Sequence, residues 1–124
     1  MSRNGRRLSR EEAAIKEKIL DALYHWTAGR KYCMDSAYET IARDLDVTKE
    51  QLAWFSTEVL GTRFLTFRKR QRVAYAVSLM RLHPEMPAAA LGQKAGIGDK
   101  SDFRRQFAEV MGVTARQWRS SSKQ

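Results

Sequence analysis

Apolar residues recur at Ile15, Ile19, Leu23 and Trp26, a spacing that gives a helix one buried stripe and leaves its other faces polar. Ser9 with Glu12 has the pattern of a capping box at its start, and Gly29 is placed to stop it. Ser36 with Glu39 predicts a short second helix through about Leu45, and Thr48 with Gln51 a third ending at Gly61. From about Arg63 to His83 the chain has neither Gly nor Pro. Phe64, Phe67, Val73, Val77 and Met80 are among its apolar positions, and the stretch reads as one long helix stopping before Pro84. Pro87 opens a fifth helix that stops at Gly96. Asp99 caps a sixth, carrying Phe103, Phe107 and Val110 to Gly112, and Thr114 with Gln117 caps a seventh whose Trp118 pins it to the core. No segment alternates with strand period, so the expected fold is all-α with about seven helices.

A short segment occurs twice. Glu58-Val59-Leu60-Gly61-Thr62 returns 51 residues later as Glu109-Val110-Met111-Gly112-Val113-Thr114, with one residue added in the turn. Upstream, Ala42 and Asp46 stand where Gly92 and Gly96 stand 50 residues on. Ala42, Asp46, Leu52 and Phe55 have helix-turn-helix spacing: a small residue at a helix crossing, a turn residue able to take positive φ, then two apolar anchors. The expected organisation is a flexible basic arm over 1–8, a first helix-turn-helix subdomain over 9–62, a linker helix over 63–83, a second subdomain over 84–120 and a frayed tail over 121–124, with Ser120 also expected to fray. Roughly 20 helical residues span ~30 Å, close to the ~34 Å of one DNA turn.

With 124 residues, 43% of them hydrophobic, the chain holds one domain or two very small units sharing a core. No apolar run approaches a membrane span and the Arg-rich start lacks the apolar stretch of a signal peptide, so a soluble, cytoplasmic protein is expected. Cys33 stands alone and is read as a small buried filler; with only His25 and His83 beside it no metal set, and no cofactor, is expected. There is no Gly-rich phosphate loop, no HExxH and no nucleophile with a matched base, which argues against an enzyme. The net charge is +9 but uneven. Residues 31–62 carry three basic and six acidic groups, whereas 86–124 carry seven and three. A polyanionic partner is implied, served mainly by the second half.

The stretch Ile41-Ala42, Leu45, Val47-Thr48 and Leu52, followed by Ala95-Gly96-Ile97-Gly98-Asp99-Lys100-Ser101-Asp102-Phe103-Arg104-Arg105-Gln106-Phe107 and Gly112-Val113-Thr114-Ala115-Arg116-Gln117-Trp118-Arg119, resembles the DNA-binding domain of AraC/XylS-type bacterial transcription regulators. The likeness covers about residues 12–120 and is most specific in the second motif. It implies two homeodomain-like helix-turn-helix units placing recognition helices in successive major grooves of double-stranded DNA. Three departures from the pattern stand out. Ser56 stands where an apolar anchor is usual, with Phe55 one residue earlier; Gly92 replaces the usual Ala; and the outward face of the third helix offers Glu50, Ala53, Trp54 and Thr57, poor material for phosphate or guanine.

The residues expected to contact DNA are Lys100, Ser101, Arg104 and Arg105 on the sixth helix, together with Thr48, Lys49, Trp54 and Thr114. Arg68, Lys69, Arg70 and Arg72 on the linker are expected to meet phosphates, as are backbone amides near Thr62 and Thr114. RNA polymerase or a separate sensor protein is the expected further partner, with no membrane and no small-molecule effector domain. Two alternatives stay open: a DNA-binding module serving a separate sensor, and a protein-interaction adaptor that uses the acidic first unit and Trp54 as its surface, Trp54 reading equally well as exposed or as partly buried packing.

Overall fold

The structure is a computed structural model and describes residues 7–122. The arm expected over 1–8 lies mostly outside the described residues, as do 123 and 124 of the expected tail. Helix α1 spans Arg10–Ala28 and opens on the capping box read from sequence. The Glu12 amide donates to Ser9 Oγ at 3.1 Å, and the Ser9 amide to Glu12 Oε1 at 3.0 Å. Two amides that would otherwise lack helical partners are thereby satisfied.

The other helices are α2, Tyr38–Asp44; α3, Lys49–Phe55; α4, Phe64–Leu82; α5, Ala88–Ala95; α6, Lys100–Met111; and α7, Ala115–Ser122. A π-helical segment, Ser56–Leu60, continues α3 to Gly61, and a short 3-10 turn, Lys31–Cys33, follows α1. No strand occurs among the described residues, so the fold is all-α. Two local expectations are corrected. Helix α2 starts at Tyr38 on Ala37, which gives no side-chain cap, rather than on Ser36. Helix α7 continues through Ser122, so residues 120–122 are helical rather than frayed.

The chain divides into two compact units, one ending at Phe67 and the other beginning at Arg68. In the first, Ile19, Leu23 and Trp26 of α1 are buried with Ile41, Leu45, Leu52 and Phe55, while Ile15 is half-buried. Trp26 holds Phe64 at 5.3 Å and Tyr32 at 6.2 Å between ring centroids. In the second, Val73, Ala76, Val77, Leu79 and Met80 of α4 cluster with Leu91, Ala95, Ile97, Phe103 and Phe107, and Trp118 packs on the cluster's edge. Truncating a fully buried Phe such as Phe103 or Phe107 to Ala typically costs ~3–5 kcal/mol, so these rings fix where α6 lies in its unit.

The repeated turn is visible atom by atom. Asp46 has φ 59° and Gly96 φ 90°. Behind them, the Val47 amide donates to the Ala42 carbonyl at 3.0 Å and the Ile97 amide to the Gly92 carbonyl at 2.7 Å. Each pair of helices is thus locked by one left-handed residue and one bond spanning the turn.

Candidate nucleic-acid interface

Helix α6 begins at Asp99, whose side chain accepts the Asp102 amide at 2.8 Å. Phe103 and Phe107 are fully buried on one side. The opposite face carries Lys100, Ser101, Arg104 and Arg105, all exposed, as the amphipathic spacing requires. Their charges are not equally available. Arg105 Nη2 lies 3.0 Å from Asp102 Oδ1 and Nη1 lies 3.3 Å from Glu109 Oε1, so its guanidinium is held along its own helix. Glu109 also accepts Lys69 Nζ of α4 at 3.1 Å. The Lys69 hydrogen bond and charge, seconded by Arg105, hold the Glu109 carboxyl below its ordinary pKa. Lys100 and Arg104 have no ion pair with any described residue.

The cations of α4 divide likewise. Arg70 is exposed, but Lys69 is committed to Glu109. Arg72 was expected at a phosphate; it is instead 7% exposed and already engaged within the protein, because its face of α4 is the one that carries Ala76 and Leu79 into the core. Arg68 is half-buried and engaged as well.

In the first unit, Thr48 caps α3 through a reciprocal pair with Gln51, its Oγ1 accepting the Gln51 amide at 3.0 Å. Lys49 is paired with Glu39 at 3.4 Å, and Glu50 is exposed beside it. Trp54, for which exposure and partly buried packing were both open, is half-buried, and its indole nitrogen is enclosed. Leu52, Phe55 and Ser56 are all buried. The π-helical segment carries Ser56 inward, where its hydroxyl donates to the Leu52 carbonyl at 2.7 Å, and Phe55 supplies the bulk that Ser56 lacks. Where backbone amides near Thr62 and Thr114 were expected to meet phosphates, the amides of these two residues themselves are used within the protein: Thr62 donates to the Ser56 carbonyl at 3.2 Å and Thr114 to Gln117 Oε1 at 2.9 Å.

Arg116 and Arg119 went unnoticed as site residues. With Lys100, Arg104 and Thr114 they line a groove of about 630 Å³ whose lining also includes Pro87, Leu91 and Ala115. Arg116, Arg119 and the capped Thr114-Gln117 start of α7 were all in the sequence; what was missing was that α7 folds back beside the start of α6.

A helix-turn-helix domain family model matches residues 41–121. No curated protein matches the chain. Among solved structures, a protein of unknown function from Listeria innocua is 22% identical, with a TM-score of 0.69 over 82% of this chain and 94% of that one. The C-terminal domain of AraT, a response regulator from Geobacillus stearothermophilus, is 23% identical, with a TM-score of 0.67 over 94% and 88%. The DNA-binding domain of AdpA, a global transcriptional factor solved in complex with a target DNA, is 15% identical, with a TM-score of 0.71 over 84% and 91%. With two helix-turn-helix pairs, each turning on a left-handed residue, and a family model that spans both, this chain belongs to the AraC-type helix-turn-helix domain family.

Proposed function

We propose that this protein binds double-stranded DNA and regulates transcription without catalysing a reaction. The observation that carries this reading is α6: its apolar face is fixed by Phe103 and Phe107, and its exposed face presents Lys100, Ser101 and Arg104 from the first turns of a helix-turn-helix recognition helix. A helix so presented fits the major groove, where Arg pairs bidentately with guanine and Lys or Ser reaches phosphates and base edges. AdpA's domain, which shares the fold, was solved on a target DNA.

The finer reading is that two recognition helices enter successive major grooves. The helix-turn-helix turn repeated in each unit, on Asp46 in the first and Gly96 in the second, supports it. The two units contribute unequally, because Lys49 is paired with Glu39 and Glu50 lies beside it. RNA polymerase or a sensor protein would be the second partner of such a regulator.

Selection of bound sequences from random duplex DNA, followed by a salt titration on the best site, tests the reading. The expected result is an enriched motif and a steep fall of log K with log salt, about −0.9 per neutralised phosphate. Absence of duplex binding at low salt overturns it and favours the protein-interaction adaptor, for which exposed Leu20 and Tyr24 beside Phe67 in the first unit give an apolar surface.

A further inference from the structure

We infer that Asp102 is a specificity-determining residue of α6, a carboxylate placed to accept from the exocyclic amino group of a cytosine in the major groove. The inference rests on the DNA-binding reading and adds to it the base that one side chain selects. Asp102 holds the third position of α6. At α1, α3 and α7 the residue in that position turns back on its own helix end: Glu12, Gln51 and Gln117 each accept the amide of the residue that caps them. Helix α6 differs. Asp99 accepts the Asp102 amide at 2.8 Å, but the Asp102 side chain, shorter than Glu or Gln, sends no bond back to Asp99. Gln51 stands 51 residues before Asp102, the interval of the repeated segment, so the two units use the same place differently.

Released from the cap, Asp102 takes Arg105 Nη2 on Oδ1 at 3.0 Å and keeps 53% of its side chain exposed. An exposed pair of this kind adds little to stability; what it fixes is the direction of the carboxylate, with Oδ2 left to accept from outside. Arg105 is thus a positioning residue for Asp102. An ionised carboxylate only accepts hydrogen bonds. It is repelled by phosphate, by guanine O6 and N7 and by thymine O4, and the donors on major-groove base edges are cytosine N4 and adenine N6. Adenine sets its N7 acceptor beside the amino group, whereas cytosine presents the amino group with no acceptor on its own edge, so cytosine is the base selected. Such a residue acts by rejecting the wrong bases more than by tightening the right one.

The test is the affinity of the full chain for a duplex carrying its selected site and for duplexes with each base pair of that site exchanged in turn. The unaltered protein should prefer cytosine at one position by roughly tenfold over guanine or thymine. Asp102→Ala should abolish that preference by raising affinity for the rejected bases, with preferences elsewhere in the site kept. Asp102→Asn should move the preference to adenine, whose N6 and N7 an amide meets together, and it serves as the test if the Ala variant melts early. Affinity that rises alike on all four bases in both variants, with the preference kept, would show that Asp102 acts on phosphates alone and overturns the inference while the DNA reading stands. A site with no position that prefers cytosine overturns it as well. An unaltered protein that binds no duplex at low salt removes the DNA reading and this inference with it.

Discussion

Gly92 lies so close to Ile97 that a Cβ added to it would stand 2.7 Å from the Ile97 carbonyl oxygen and 3.1 Å from Phe103 Cβ. The resemblance leads one to expect Ala here, and Ala would gain ~1 kcal/mol of helix propensity. The obstructing oxygen is backbone, in the turn that aims α6, and cannot swing aside. Gly92→Ala should therefore destabilise the second unit by ~1–3 kcal/mol, the usual cost of overpacking, despite the propensity gain. Urea unfolding measures the sign: a raised midpoint would show that the turn relaxes and that Gly92 is not sterically required.

Ser56 makes the complementary case. Its hydroxyl donates to the Leu52 carbonyl, which also accepts the Ser56 amide, so removing the hydroxyl leaves no buried group unpaired. Ser56→Ala should change stability by less than about 1 kcal/mol. Ser56→Phe, which restores the family's apolar anchor, should cost ~1–3 kcal/mol because Phe55 already occupies the interior. Thermal unfolding of both variants checks the pair; a stabilised Ser56→Phe would mean that the π-helical segment can revert to α-helix and release the space.

These two positions show where the sequence was legible. Caps are local, three-residue patterns, so Ser9 with Glu12, Thr48 with Gln51 and Thr114 with Gln117 were readable and close the bonds expected of them. Asp46 was readable as a left-handed turn residue by its offset from Ala42. The π-helical segment was not, since it has no short signature and only Ser56 at an anchor position hinted at it. Burial of Arg72 was partly legible: it lies four residues before Ala76 and seven before Leu79, on the buried face, but the run of neighbouring cations suggested a wet surface instead. Pairing of Arg105 with Asp102 and Glu109 was written in its i−3 and i+4 spacing. The groove of Arg116 and Arg119 needed the tertiary return of α7, which no local pattern encodes.

The Lys69–Glu109 tie should give the second unit an acid-sensitive joint between α4 and α6. The Lys69 hydrogen bond, with its charge and that of Arg105, lowers the Glu109 pKa in the folded state. A lowered folded value means that the stabilisation is complete above the ordinary glutamate pKa and is lost as pH falls through the folded one. Glu109→Gln should flatten the acid limb of a stability-against-pH curve while leaving the neutral limb parallel. Carboxyl NMR of the wild type should place Glu109 below the ordinary glutamate value; a normal titration there, with an unchanged acid limb in the variant, would remove the joint.

Arg104 and Arg105 are neighbours in sequence but should not be equal on DNA. Arg105 must leave two carboxylates before it meets a base or phosphate, whereas Arg104 has none to leave. Arg104→Ala should lower duplex affinity roughly tenfold or more, within the ~1–3 kcal/mol of a good contact, and Arg105→Ala clearly less. Lys69→Ala should do little to affinity for the same reason, its charge being held by Glu109. Equal losses for the two arginines would show that DNA displaces Asp102 and Glu109 without cost.

Binding should also be lopsided between the two halves of the chain. Residues 31–62 carry three basic groups against six acidic, and the one cation at the start of α3, Lys49, is already paired with Glu39 at 3.4 Å. Glu50 is exposed one residue on, so this face meets a phosphate with little net attraction. Footprinting should therefore show strong protection and base discrimination over one half-site and weak, phosphate-dominated protection over the other. Glu50→Lys replaces a negative charge with a positive one and should raise affinity on every sequence, with a steeper salt dependence. Glu39→Gln should act in the same direction by freeing Lys49, though less, since an exposed pair holds its partner weakly. Equal protection and equal base preference over both half-sites in the unaltered protein would mean that Thr48, Lys49 or the half-buried Trp54 reads bases through contacts that charge alone does not reveal.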